Sequence, residues 1–147
     1  MTSNYALMGT RNNTQPNYDS TSHFTGMVGD GDFIRWCAFN KYHLYKGFDG
    51  HAPVDYIVDT GNVLLRTEVK RIEAIQHTNQ NYYYVTATGL KTKNFDYIFV
   101  STNHGCYFIP SSDCPEQTLS IKVAGDDYKR NISRPGKYYK YKVEMPK

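Results

Sequence analysis

Pro53-Val54-Asp55-Tyr56-Ile57-Val58-Asp59, Thr60-Gly61-Asn62 and Val63-Leu64-Leu65-Arg66-Thr67-Glu68-Val69-Lys70 form the stretch that decides the fold. Two β-rich runs flank a Gly-Asn turn signal, so the stretch predicts a hairpin. Strand side chains alternate between faces. Leu64, Arg66, Glu68, Lys70 and Ile72 are expected on one face of the second strand, with Leu65, Thr67, Val69 and Arg71 on the other. Asp55 begins the partner strand and is expected to face Glu68 and Lys70. An Asp, a Glu and a Lys on one sheet surface make a poor core. Two carboxylates suit a hard divalent cation, and a lysine beside them can stabilise charge that develops in a transition state. The plain alternative is a surface ion-pair trio.

Pro53-Val54-Asp55, twelve intervening residues and then Glu68-Val69-Lys70 resemble the motif of the PD-(D/E)XK nucleases. The resemblance covers roughly residues 30–110. That family includes restriction enzymes, Holliday-junction resolvases and some intron-homing endonucleases. It implies an α/β fold of restriction-endonuclease type, with a mixed central β-sheet flanked by helices. It implies Asp55 and Glu68 as metal ligands, Lys70 as the catalytic lysine and Mg²⁺ (or Mn²⁺) as cofactor. Many members add an acid on the first helix, which makes Asp32 a third candidate ligand. Asp32 equally suits the first turn of a helix, where the dipole favours negative charge.

Within the family, the tract looks most like small intron-homing or phage-type endonucleases, although Glu68 stands where several of those carry glutamine. The implied substrate is double-stranded DNA. A resolvase acting on branched DNA is the alternative, followed by a non-catalytic DNA-binding module and an accessory protein with a tyrosine-rich binding surface. One chain carries one motif, so cutting both strands calls for a homodimer or higher homo-oligomer.

The chain's 147 residues match one domain. Hydrophobic residues make up 39% and aromatics 15%, with 14 tyrosines. Tyrosine can complete a thin core and line a wet surface. Charge is uneven: from Lys122 onward eight basic residues accompany three acids, and the remainder is net acidic. A basic end of this kind fits an anionic partner. The expected division is a flexible arm over 1–25, a nuclease core over 26–123 and a basic, tyrosine-rich extension over 124–147. Three cysteines without a C-x-x-C pair imply neither a zinc site nor a disulfide framework. The absence of a signal-peptide pattern and of an apolar run near ~18 residues predicts a cytoplasmic, intracellular protein that meets no membrane.

In chain order, Gly26, Gly29 and Gly31 predict a turn ahead of a helix over about residues 30–42, with Asp30 as its cap. The helix is expected to bury Ile34, Cys37, Ala38 and Tyr42, with Trp36 and Phe39 off the stripe, packed under the sheet or at a subunit contact. A strand is expected from His43 to Phe48 and a turn at Asp49-Gly50, with His51 a loop residue near Asp55. Residues 76–80 form a polar hairpin loop of the kind that can enter a DNA groove. Further strands are expected at 81–88, 95–101, 106–109 and 118–123. Lys91 and Lys93 form a basic loop suited to phosphate contacts. Arg134, Lys137, Lys140 and Lys142 lie among tyrosines, a pattern that suits DNA by charge and stacking. The alternation Tyr139-Lys140-Tyr141-Lys142-Val143 also fits an edge strand guarded by lysines.

Overall fold

A computed structural model describes residues 21–47, 52–76, 83–88, 90, 94–123 and 136–147. The expected hairpin is its centre. Strand β2 (Tyr56–Asp59) pairs antiparallel with β3 (Leu64–Arg71), Tyr56 opposite Thr67 and Asp59 opposite Leu64. The turn between them is held by its own polar groups. Gly61 N–H donates to Asp59 Oδ1 at 2.9 Å, and Thr60 Oγ1 accepts from Val63 N–H at 3.2 Å. Gly61 has φ +95, a conformation that glycine adopts without steric cost.

Strand β1 (His43–Lys46) adds to β2, antiparallel. On the other side β6 (Tyr97–Thr102) runs parallel to β3, Glu68 beside Ile98 and Lys70 beside Val100. Strands β7 (Gly105–Pro110) and β9 (Lys142–Val143) complete the order β1-β2-β3-β6-β7-β9. A parallel neighbour needs a crossover connection. Here the crossover contains β4 (Ile75–Gln76) and β5 (Tyr83–Ala87), which pair with each other and, through β5, with β8 (Leu119–Val123) as a second, three-stranded sheet. Asp96 fixes the start of the parallel pair. It accepts from the Arg66 backbone N–H at 2.8 Å and from the guanidinium at 3.0 Å, and its own N–H donates to Arg66 O at 2.7 Å.

Alternation along these strands divides the core in two. Tyr56, Val58, Phe99 and Cys106, with Leu65 and Val69, pack under α1 (Thr21–Phe39) against Phe33, Trp36 and Cys37. Ile98, Val100, Tyr107 and Ile109 face the other way, against Val85, Ala87, Leu119 and Ile121 of the small sheet. The mixed α/β sheet is therefore present. Among the described residues one helix flanks it, and the small sheet covers the face where a second helix was expected.

The helix corrects the sequence reading in three ways. It starts at Thr21 rather than near Asp30, so Gly26, Gly29 and Gly31 lie inside it and Asp30 caps nothing. Its buried stripe is Gly29, Phe33, Trp36 and Cys37, whereas Ile34, Ala38 and Phe39 are exposed. Cys37 is buried and Tyr42 packs on the core as expected, and Trp36 packs under the sheet, but Ile34 and Ala38 face outward because large apolar residues lie on both sides of the helix. At Gly29 a Cβ would fall 2.8 Å from Arg71 Cβ, so glycine there lets the helix lie directly on β3.

The C-terminal residues 136–147 are joined to the core. Tyr138 is buried in the small-sheet cluster, and Val143 and Met145 pack on the helix-side cluster. Tyr139–Tyr141 is a 3₁₀ turn rather than the expected strand, which is limited to Lys142–Val143. No helix among the described residues is long and apolar enough to cross a membrane.

Candidate active site

Asp55 immediately precedes β2, and the β2–β3 register places it next after the Tyr56–Thr67 pair, opposite Glu68. Its carboxylate accepts the Val69 backbone N–H at 2.9 Å. Val69 stands between Glu68 and Lys70, so one hydrogen bond ties the first acid to the segment that carries the other two groups. Thr67 and Val69 turn toward the helix, whereas Glu68 and Lys70 lie on the opposite face with Ile98 and Val100. The sheet thus presents Asp55, Glu68 and Lys70 together, with the alternation that the sequence predicts.

Glu68 is half-buried. Burial pushes its carboxyl above the usual range, the charge of Asp55 pushes the same way, and Lys70 opposes both. A buried carboxylate whose ionised form is made costly by a neighbouring acid marks a site short of positive charge. Lys70, Arg71 and Ile72 line a cleft of about 580 Å³ with Thr25, Gly26 and Thr86. Lys70 thus borders open space between the helix start and β5.

The fold is similar to that of a bacterial homing endonuclease. The solved structure of that protein, I-Ssp6803I, superimposes with a TM-score of 0.62 over 84% of this chain and 86% of the other, at 16% sequence identity. No protein-family model and no curated protein sequence matches the chain. At this identity the likeness concerns the fold: a mixed sheet with a hairpin at its centre and a helix on one face.

Asp32 is not brought to this group. It lies in the middle of α1, on the helix side of the sheet, where it accepts Ser101 Oγ–H at 2.6 Å and pairs with Arg71 at 3.5 Å. Arg71 in turn donates to Ser101 Oγ at 3.0 Å and to Glu73 at 2.6 Å. This network fastens the helix to the ends of β3 and β6. The helix acid whose charge reaches Asp55 is Asp30. Burial raises its carboxyl, the nearby Lys46 lowers it and Asp55 raises it further. Lys46 donates to the Tyr56 hydroxyl at 3.4 Å and sits 4.8 Å over the ring.

The sequence reading missed both Asp30 and Lys46. The signal for Asp30 was available only with the correct helix start, since two residues rotate a helix by about 200° and carry Asp32 to a different side. Lys46 becomes visible through the Lys46–Tyr56 register, which sequence does not fix.

Of the basic residues expected to touch DNA, Lys137, Lys140 and Lys142 are exposed. Lys137 lies 5.4 Å from the Tyr138 ring and Lys140 5.3 Å from that of Tyr141. Lys91, Lys93, Arg134 and His51 lie outside the described residues. Among the described residues, no three acidic, histidine or cysteine side chains form a ready metal cage. The donor set is the Asp55–Glu68 pair. That pair fits Mg²⁺ in kind, since this ion is commonly held by one or two carboxylates while water and substrate phosphate complete its shell.

Proposed function

We propose that the protein is a metal-dependent DNA endonuclease of the PD-(D/E)XK type, acting on double-stranded DNA in the manner of homing or phage endonucleases. The observation that supports this reading is the Asp55–Val69 hydrogen bond, which sets two carboxylates and Lys70 at one end of the hairpin. The likeness in fold to a homing endonuclease agrees with it. Asp55 and Glu68 are the residues that would hold Mg²⁺ or Mn²⁺. When bound, such a cation polarises a phosphoryl oxygen and lowers the pKa of the attacking water.

The chain's own groups do the remaining work. The Val69 N–H fixes the orientation of the Asp55 carboxylate. Glu68, raised by burial and by Asp55, is poised to gain from any added positive charge. Lys70 borders the cleft, and its ammonium would stabilise the charge that builds on a scissile phosphate held beside it. Asp30, on the helix, adds negative charge near Asp55, and Lys46 balances it.

The deciding experiment is incubation of the pure protein with plasmid DNA, with and without Mg²⁺, beside Asp55→Ala and Glu68→Ala. Cleavage that requires Mg²⁺ and both acids is the expected result. A four-way junction cut in preference to duplex would favour the resolvase reading. DNA binding without cleavage in any divalent metal would leave a non-catalytic DNA-binding module.

A further inference from the structure

Helix α1 is apolar on both sides. Phe33, Trp36 and Cys37 face the sheet and are buried. Phe24, Met27, Val28, Gly31, Ile34 and Ala38 recur at spacings of three and four and fall on the opposite side. Phe24 is 53% exposed, Met27 58%, Val28 48% and Ile34 47%. Arg35 is the charged residue within that stripe, and Phe39 borders it at 58% exposure. A helix that is hydrophobic all round is ordinarily buried. These side chains leave on the order of 500 Å² of apolar surface, near the top of what a monomer usually shows. Arg35 and the flanking residues bring it toward the ~800 Å² per partner of a stable interface.

We propose that this face of α1 is the dimer interface, packed against α1 of a second copy of the chain, antiparallel, about a two-fold axis at Gly31. The stripe is complementary to itself under that symmetry. Residues equally far before and after Gly31 meet: Val28 faces Ile34, and Phe24 faces Ala38. Large side chains therefore meet small or medium ones, as an isologous contact requires. Met27 faces Arg35, whose aliphatic stem can cover it while the guanidinium stays at the rim. Gly31 lies at the crossing point. Among the described residues, nothing outside the helix's own backbone lies within 4 Å of the place where its Cβ would stand, so the backbone is open to close approach. The inference does not rest on the nuclease reading.

The test is sedimentation velocity of the full chain over a range of concentrations without DNA or metal. The expected mass is an even multiple of the 16.9 kDa chain, and a Met27→Glu/Ile34→Glu variant with unchanged circular dichroism should fall to half that mass. A second test does not depend on that variant folding. Cys37, Cys106 and Cys114 are buried, so a new surface thiol is the reactive one. Under mild oxidation Gly31→Cys should form a disulfide-linked dimer much faster than Asn62→Cys at the hairpin turn. Wild-type protein at single-chain mass throughout overturns the proposal, and so does cross-linking no faster at position 31 than at position 62.

Discussion

Glu68 carries the clearest sign of a site at the scale of single residues. Its carboxyl is raised by burial first and by Asp55 second. A raised folded-state pKa means that the ionised form costs stability: the group's favourable contribution is full below the ordinary carboxylate range and is lost as pH rises through the folded value. Glu68→Gln should therefore raise the thermal midpoint at neutral pH, with the gain vanishing in acid. Mg²⁺ that binds the native site should raise the wild-type midpoint by mass action and leave that of Glu68→Gln nearly unmoved. Scans of both proteins at two pH values, with and without the ion, check this, and equal Mg²⁺ shifts in the two would remove Glu68 from the ligand set. Lys70 separates catalysis from stability. If it stabilises charge in the transition state, Lys70→Ala should lower single-turnover cleavage by ~10²–10³ with DNA binding in Ca²⁺ little changed. Arginine should rescue poorly, since a planar fork does not replace a compact ammonium. A surface partner of Glu68 would instead show ~0–1 kcal/mol of stability and no kinetic effect.

Helix α1 was the element least legible in the sequence, whereas the hairpin was the most legible. Gly61-Asn62 and the alternation from Leu64 to Arg71 act locally, so the turn and the two faces could be predicted together. The helix has three glycines from Gly26 to Gly31 and large apolar residues on both sides, so periodicity alone placed Ile34 and Ala38 on the buried side and delayed the helix start. What decides the face is tertiary: Gly29 lets the helix touch Arg71. This yields a contrast between two glycines. Gly26→Ala meets nothing within 4 Å among the described residues beyond the helix's own backbone and should stabilise by about 0.5–1 kcal/mol through helix propensity. Gly29→Ala gains the same propensity but drives a methyl to 2.8 Å from Arg71 Cβ. Overpacking of this kind costs about 1–3 kcal/mol, so the net change should be destabilising. Denaturant melts of the two variants decide the matter. A stabilised Gly29→Ala would show that the helix can move off β3 freely.

Across the whole molecule, the two-sided sheet explains both the site and what sequence could not place. Alternation sends Thr67 and Val69 into the helix-side core and Glu68 and Lys70 to the other face. The resemblance of the 53–70 stretch was thus enough to propose the trio, but not to see that Asp30 approaches it and Asp32 does not. The C-terminal lysines belong to this scale as well. Removing the tail would be a poor test of DNA contact, because Tyr138 is buried and Val143 and Met145 pack into the core, so truncation would unfold the sheet edge. Neutralising exposed charges is the cleaner experiment. Lys137, Lys140 and Lys142 are exposed around the 3₁₀ turn and β9, and Lys→Gln at all three should keep the fold. Each phosphate contact contributes about −0.9 to the slope of log affinity against log salt. If all three touch the backbone, the slope should flatten by about 2.7 units, with affinity lost mainly at low salt. Duplex binding isotherms in Ca²⁺ at several salt concentrations supply the slope. An unchanged slope would place the DNA away from β9 and leave these lysines the edge-guarding role that strand edges commonly require.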